Sequence, residues 1–127
     1  MATVAATAKS YMSTVIFNPG VVTDSTYFDY ADTIVQYESP LASYTYPGSI
    51  NAMTAGKHEN IAIVMNKAKP RQSRITSLVN NMISQNIGSV YLTSDCCYNK
   101  LNGTLLTALV RQIATNQNSK RDARTQL

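Results

Sequence analysis

The chain has 127 residues and a formal net charge of +4, with 44% hydrophobic but only 14% charged residues. This length excludes a multidomain enzyme, the apolar content excludes a disordered chain, and no apolar run approaches the ~20 residues of a membrane-spanning helix. Residues 1–59 carry two basic and five acidic side chains, whereas residues 60–127 carry nine basic and two acidic ones. The second half is therefore the expected contact for a polyanion.

The first two thirds of the chain read as a series of strands. Segments rich in β-branched and aromatic residues alternate with turn signals such as Asn-Pro-Gly, which predicts a β-meander. The strongest strand signal is the alternation of Ile61, Ile63 and Met65 with more polar or smaller residues, and we expect these three side chains to face the helices. The predicted strands cover residues 13–17, 21–30, 33–37, 43–46, 49–53 and 60–67.

The segment from Ile75 to Leu92 is ambiguous, because its apolar residues match helical spacing while its asparagines and its β-branched residues favour a strand. We predict an extended segment. The signal after Thr93 is clearer, because Thr93-Ser94-Asp95 offers N-cap side chains and apolar residues follow at steps of three or four. This pattern predicts a helix from about Cys96 to Asn116, with an apolar stripe at Tyr98, Leu101, Leu105, Leu109 and Ile113.

Residues that could support catalysis are few. His58 beside Glu59 is the one candidate acid/base pair, and an exposed loop histidine is the favoured interpretation. A disulfide between the adjacent Cys96 and Cys97 would need a strained ring, which leaves reduced thiols or an intermolecular bridge. No zinc motif and no phosphate loop are present. We therefore predict a binding or structural protein and not an enzyme, with no cofactor, no metal, no small-molecule substrate and no secretory signal.

Three stretches of the sequence resemble the coat proteins of single-stranded RNA bacteriophages. They are Thr23 to Tyr30 after an Asn-Pro-Gly turn, the strand from Ile61 to Lys67 with the following Ala68-Lys69-Pro70, and Val90 to Cys96. The resemblance implies an α+β fold: an N-terminal β-hairpin and antiparallel sheet over residues 1–92, then C-terminal helices over residues 94–127. It also implies a single domain over residues 1–127 that interlocks with a second copy.

The function that this resemblance implies is a capsid protein. Homodimers would assemble into an icosahedral virion in the cytoplasm of a bacterial host, package the single-stranded RNA genome and bind an RNA hairpin that represses translation. No membrane would be involved. The apolar stripe of the predicted helix would then form the dimer interface, through Tyr98, Leu101, Leu105, Leu109 and Ile113.

Candidate RNA contacts follow from the chemistry of RNA binding, in which polar side chains contact bases or sugars and cations hold phosphates. The residues that we expect in the first role are Asn60, Asn66, Asn80 and Ser84. Those that we expect in the second are Lys57, Lys67, Lys69, Arg71 and Arg74.

Two further hypotheses compete with the capsid. The basic second half also fits a small dimeric nucleic-acid-binding regulator that forms no shell. An enzyme with an unrecognised site is the third hypothesis, for which His58 and Asp95 are the residues to test.

Overall fold

The computed structural model describes residues 2–96 and 100–125. It contains a four-stranded sheet in which neighbouring strands follow the chain order and run parallel. We call the edge where the strands begin the amino edge and the edge where they end the carboxyl edge. The strands are β1 (Ile16–Phe17), β2 (Thr33–Pro40), β3 (Ile61–Asn66) and β4 (Ser89–Leu92), and the α-helices are α1 (Ala2–Lys9), α2 (Gly48–Asn51), α3 (Gln72–Ser84) and α4 (Gly103–Thr125).

The predicted antiparallel sheet and N-terminal hairpin are wrong. Antiparallel neighbours can be joined by tight turns, whereas parallel strands need connections long enough to return the chain to the amino edge. The segments at 21–30, 43–46 and 49–53, predicted as strands, provide these connections instead. They contain the 3-10 turns Ser25–Asp29 and Leu41–Ser43 and the short helix α2.

Segment 75–92 was predicted as extended, and that prediction is wrong for most of it. α3 buries Ile75, Leu78, Val79 and Met82 on one face, so packing of this apolar face outweighs the low helix propensity of its asparagines. The helix ends at Ser84, and the chain turns at Asn86, whose φ of 57° is left-handed. Only the end of the segment is a strand, namely β4.

The last helix begins later than the sequence pattern predicts. Asn102 caps it, because its Oδ1 accepts a hydrogen bond from the Leu105 amide at 3.0 Å and its Nδ2 donates to the Ser94 hydroxyl at 3.1 Å. Residues 93–95, predicted as the cap, lie instead in the link between β4 and α4. Helices α1 to α3 precede residue 92 and α4 follows it, and the single-domain assignment of residues 1–127 stays a prediction.

The core lies between one face of the sheet and the helices. Ile61, Ile63 and Met65 are fully buried, as their alternation predicts, while the other residues of β3 are half-buried. Leu105 and Leu109 of α4 belong to the same core. Among the described residues, no helix is both long and apolar enough to cross a membrane.

One polar side chain is buried within the sheet. Gln36 lies at an irregularity in the register between β2 and β3 and is 5% exposed. Its amide donates to the hydroxyls of Thr23 and Thr54 and accepts from the Thr54 main chain. Because all these polar atoms of Gln36 have hydrogen-bond partners, its burial does not destabilise the core. The same bonds connect the loops that contain Thr23 and Thr54 to β2.

Candidate functional site

An open cleft of about 550 Å³ lies at the carboxyl edge. Residues that follow or end all four strands converge on it, which is the position where open parallel sheets place ligands. We call it the edge cleft. Its lining residues are Asn18, Pro19, Gly20, Glu38, Ser39, Pro40, Asn66 and Cys96.

Glu38 and Asn18 form the polar centre of the edge cleft. The Asn18 amide nitrogen donates to Glu38 Oε2 at 2.6 Å. Asn18 is oriented in turn by the main chain, because its Oδ1 accepts from the Gly20 amide at 3.2 Å. The Gly20 φ of 74° is left-handed, a conformation that glycine adopts without strain. The turn thus orients an amide, and the amide orients an exposed carboxylate.

The ends of β3 and β4 are held together beyond the sheet. The Thr93 amide donates to Met65 O at 2.9 Å, the Ala68 amide to Thr93 O at 2.9 Å and the Lys67 amide to Asp95 O at 3.3 Å. Lys67 has a φ of 49°, which is uncommon for a residue other than glycine, asparagine or aspartate. These bonds fix the main chain on either side of Asn66.

Three exposed cations follow β3 in the link to α3: Lys67, Lys69 and Arg71. Among the side chains of residues 2–96 and 100–118 the structure gives a single ion pair, between Lys9 and Asp32 at 3.4 Å. The positive charge of the link is therefore not neutralised by carboxylates of the described chain. Arg74, in the first turn of α3, donates to the main-chain oxygen of Tyr44 at 3.3 Å.

The structure distributes the nine candidate RNA contacts over three places. Lys57 and Asn60 lie at the amino edge, where the Asn60 amide donates to Asp32 O at 2.9 Å. Asn80 and Ser84 are exposed on α3. The remaining five are at or beyond the end of β3, and the structure brings these together at the carboxyl edge: Asn66, Lys67, Lys69, Arg71 and Arg74.

The residues predicted at a dimer interface do not share one surface: some are buried in the core and one is exposed. Leu105 and Leu109 are buried in the core of their own chain, and Ile113 packs against that core. Leu101, by contrast, is 66% exposed. Tyr98 lies outside the described residues.

The candidate catalytic and metal-binding groups lie elsewhere or do not cluster. His58 is half-buried at the amino edge, with its Nδ1 3.0 Å from Gln85 O, and it does not line the edge cleft. Cys96 is disulfide-bonded, so the expectation of reduced thiols is wrong for it, and Cys97 lies outside the described residues. In the part of the chain that the structure describes, no three His, Cys, Asp or Glu side chains form a group that could hold a metal ion.

Two tyrosines pack against each other near the carboxyl half of β2: Tyr37, which is half-buried within that strand, and Tyr44, which is buried. The rings of Tyr37 and Tyr44 meet edge to face with centroids 5.6 Å apart. The Tyr44 hydroxyl is buried without a hydrogen-bond partner among the described residues. Burial raises the pKa of Tyr44 to about 12, and the nearby Tyr37 adds to this shift. Because buried polar groups normally have partners, we expect the Tyr44 hydroxyl to destabilise the fold.

Comparison with known proteins decides the family. The family model described as Spherulin4, spherulation-specific family 4, matches residues 1–113. The chain belongs to this family. None of the curated proteins compared with the chain matches it.

One solved structure supports the fold of this Spherulin4 chain. The crystal structure of Aspergillus clavatus Sph3 in complex with GalNAc matches it with a TM-score of 0.65 at 20% sequence identity. The match covers 78% of this chain and 41% of the Sph3 chain. The chain thus corresponds to less than half the length of that relative, and at this identity the likeness shows the fold alone.

These findings overturn the resemblance to phage coat proteins. The Spherulin4 match and the parallel sheet contradict the predicted function as a capsid protein. The predictions of a virion, of a packaged RNA genome and of assembly in a bacterial cytoplasm are therefore wrong as well. Neither finding supports the shell-forming homodimer or the nucleic-acid-binding regulator. The resemblance rested on short stretches. One of them, Ile61 to Lys67, contains β3 and the first residue of the basic link that follows it.

Sequence reasoning missed Asn18 and Glu38, the polar centre of the edge cleft. Asn18 directly follows β1 and precedes Pro19, and Glu38 lies near the end of β2, two positions before Pro40. In a parallel sheet such positions meet at one edge, whereas in the predicted meander alternate strands end at opposite edges. The wrong strand direction therefore separated residues that the structure brings together.

Proposed function

We propose that this Spherulin4 chain binds carbohydrate in the edge cleft, and that the ligand contains an N-acetylhexosamine. The observation that supports this is the convergence of the Asn18 amide, the Glu38 carboxylate and Asn66 in one open cleft at the carboxyl edge. These groups offer both donors and acceptors, which sugar hydroxyls and an acetamido group require.

Glu38 is the principal ligand-contacting residue in this proposal. One of its oxygens accepts from Asn18, and the structure gives it no other hydrogen bond among the described residues. The second oxygen is therefore open to a sugar hydroxyl. A hydrogen bond to an ionised acceptor contributes about 1.5–3 kcal/mol, more than a neutral one.

The comparison with Sph3 supplies the sugar class. Sph3 was crystallised in complex with GalNAc, and a parallel sheet of the same fold offers its carboxyl edge for ligands. We extend the sugar to this chain as part of the proposal, and we keep the interpretation that the chain is a binding protein and not itself an enzyme.

The test is a titration of the protein with N-acetylgalactosamine and its oligosaccharides, followed by NMR or calorimetry. Glu38→Gln keeps the size of the side chain and an acceptor for Asn18 but removes the charge. We expect it to weaken binding about tenfold, the loss of one charge-assisted hydrogen bond. Glu59→Gln is the matched control, because Glu59 is exposed at the amino edge, and it should bind like the wild type.

Two outcomes would contradict the proposal. Equal weakening by Glu38→Gln and Glu59→Gln would show that the edge cleft is not the site. Release of reducing ends from an oligosaccharide, abolished by Glu38→Gln, would show instead that the chain is an enzyme.

A further inference from the structure

One face of the sheet packs against the helices, and the opposite face leads into the edge cleft. Ile61, Ile63 and Met65 of β3 are buried in the core. Val64 and Asn66 alternate with them along the strand and therefore lie on the opposite face. Asn66 lines the edge cleft, so we call this face of the sheet the cleft face.

The strand register places a tyrosine on the cleft face. Residues that pair across a parallel ladder point to the same side of the sheet. Val64 pairs with Glu38 of β2 on one side and with Tyr91 of β4 on the other, so all three lie on the cleft face. The neighbours of Tyr91 agree with this alternation, because Leu92 is buried in the core and Val90 packs against it.

Glu38 and Tyr91 are separated by one strand. Neighbouring strands lie about 4.8 Å apart, so the two side chains rise from positions roughly 10 Å apart, with Val64 between them. The edge cleft extends from the β2 side to the β4 side, because it is lined by Glu38 and also by Cys96, which follows β4. This spacing leaves room for one pyranose ring, with a carboxylate on one side and an aromatic ring on the other.

Tyr91 has no evident role in the packing of the fold. It is half-buried and belongs to neither apolar cluster of the core. Among the described residues, the structure gives it neither a ring contact nor a side-chain hydrogen bond, whereas Tyr37 and Tyr44 pack on each other. A tyrosine with an apolar ring face and a polar hydroxyl is well suited to contact a ligand that is itself partly apolar and partly polar.

We infer that Tyr91 stacks on the sugar in the edge cleft and selects N-acetylgalactosamine over N-acetylglucosamine. In N-acetylgalactosamine the C4 hydroxyl is axial, so the hydrogens on C3, C4 and C5 lie on one side of the ring and form an apolar patch. In N-acetylglucosamine the C4 hydrogen lies on the opposite side. The patch packs on the electron-rich face of the Tyr91 ring, while Glu38 accepts from a hydroxyl across the sugar. This inference rests on the proposed function and adds the orientation and the selectivity of the ligand.

The experiment follows the hydrogens of each sugar by NMR while the full chain is added to N-acetylgalactosamine or to N-acetylglucosamine. Hydrogens that lie over the face of an aromatic ring shift upfield, so those on C3, C4 and C5 of N-acetylgalactosamine should do so on binding. We expect the wild type to bind N-acetylgalactosamine about tenfold more tightly than N-acetylglucosamine, the effect of one aromatic contact.

Tyr91→Leu keeps an apolar side chain but removes the ring. It should lose the upfield shifts and bind N-acetylgalactosamine about tenfold more weakly, so that the preference disappears. Tyr91→Phe keeps the ring and should retain both the shifts and the preference. Tyr11→Leu is the matched control, because Tyr11 is 85% exposed and precedes β1, and it should bind like the wild type. Thermal unfolding of each variant confirms that it folds.

Each contrary outcome has its own meaning. Wild-type binding of N-acetylgalactosamine without the upfield shifts overturns the stacking and leaves the proposed function standing, and this result does not depend on any variant. Equal affinity of the wild type for the two sugars overturns the selectivity, and a preference that survives Tyr91→Leu refutes Tyr91 as its cause. A loss in Tyr91→Phe as large as that in Tyr91→Leu shows that the hydroxyl and not the ring makes the contact. Failure to bind either sugar overturns both this inference and the proposed function.

Discussion

At the amino edge of the sheet, polar side chains form hydrogen bonds to the main chain of neighbouring elements, whereas at the carboxyl edge similar side chains line open depressions. His58, Asn60 and Asp32 contact the main chain of Gln85, Asp32 and Val15 at the amino edge. At the carboxyl edge, Glu38 has one partner, from Asn18, and the cations of residues 67–71 have no ion pair in the described chain.

The comparison separates two uses of the same residue types. Side chains that satisfy the main chain stabilise the fold, while charged groups that lie open to solvent and are held by their neighbours contribute to binding. We therefore expect substitutions at the amino edge to change stability and substitutions at the carboxyl edge to change affinity.

The largest expected effect is at Gly88, where α3 has ended and the chain enters β4. A Cβ at this position would lie 2.0 Å from the main-chain oxygen of Glu59, and the Gly88 amide donates to His58 O at 3.0 Å. Gly88→Ala must therefore displace main chain against main chain. We expect it to cost roughly 3 kcal/mol or more of unfolding free energy, measured by urea denaturation.

Gly103→Ala is the control for this prediction. Nothing lies within 4 Å of a Cβ at Gly103, the first residue of α4. Alanine there should change stability by about 0.5 kcal/mol or less. If Gly88→Ala were as stable as Gly103→Ala, the close packing that distinguishes the amino edge would not exist in solution.

Part of the fold could be predicted from the sequence. The alternation in β3 and the strand from Thr33 follow from local periodicity, and the structure confirms both. Of the predicted apolar stripe it confirms Leu105, Leu109 and Ile113, whereas Leu101 is exposed. Strand direction could not be predicted, because a parallel and an antiparallel strand have the same alternation. The helix α1 was not predicted as any element, since its residues Ala2–Lys9 carry a weakly amphipathic pattern.

The candidate site shows the same limit. The basic link at residues 67–71 is visible as a cluster in the sequence, and the structure places it at the carboxyl edge. Asn18 and Glu38 are twenty positions apart and meet only because β1 and β2 are parallel neighbours. No local signal connects them, so their pairing depended on a topology that the sequence pattern did not define.

A smaller effect of opposite sign is expected for Tyr44, whose side chain is 2% exposed with an unpartnered hydroxyl. Tyr44→Phe removes this buried polar group and keeps the edge-to-face contact with Tyr37. We expect the unfolding free energy to rise by about 1 kcal/mol. Thermal denaturation measures the change.

Tyr46→Phe is the matched control, because the Tyr46 hydroxyl has a partner and accepts from the Gln85 amide at 3.3 Å. Its loss should leave stability unchanged or slightly lower it. A drop in stability for Tyr44→Phe would mean that a buried water satisfies the hydroxyl. The Tyr44 hydroxyl would then stabilise the fold, contrary to this prediction.

The smallest effect is a pH dependence at the amino edge. The Val15 amide donates to Asp32 Oδ2 at 2.8 Å, and this bond, with a lesser contribution from Lys9, holds the pKa of Asp32 below its usual value of 3.8. A carboxylate with a lowered pKa in the folded state stabilises the fold above pH 3.8, and this contribution disappears as the pH falls through the folded-state pKa.

Asp32→Asn should therefore be less stable than the wild type at neutral pH, and this gap in unfolding free energy should close in acid. Urea denaturation of both proteins from pH 7 to about pH 2.5 measures the gap. A gap that stayed constant over this range would show that the charge of Asp32 contributes nothing, and that the amino edge depends on hydrogen-bond geometry alone.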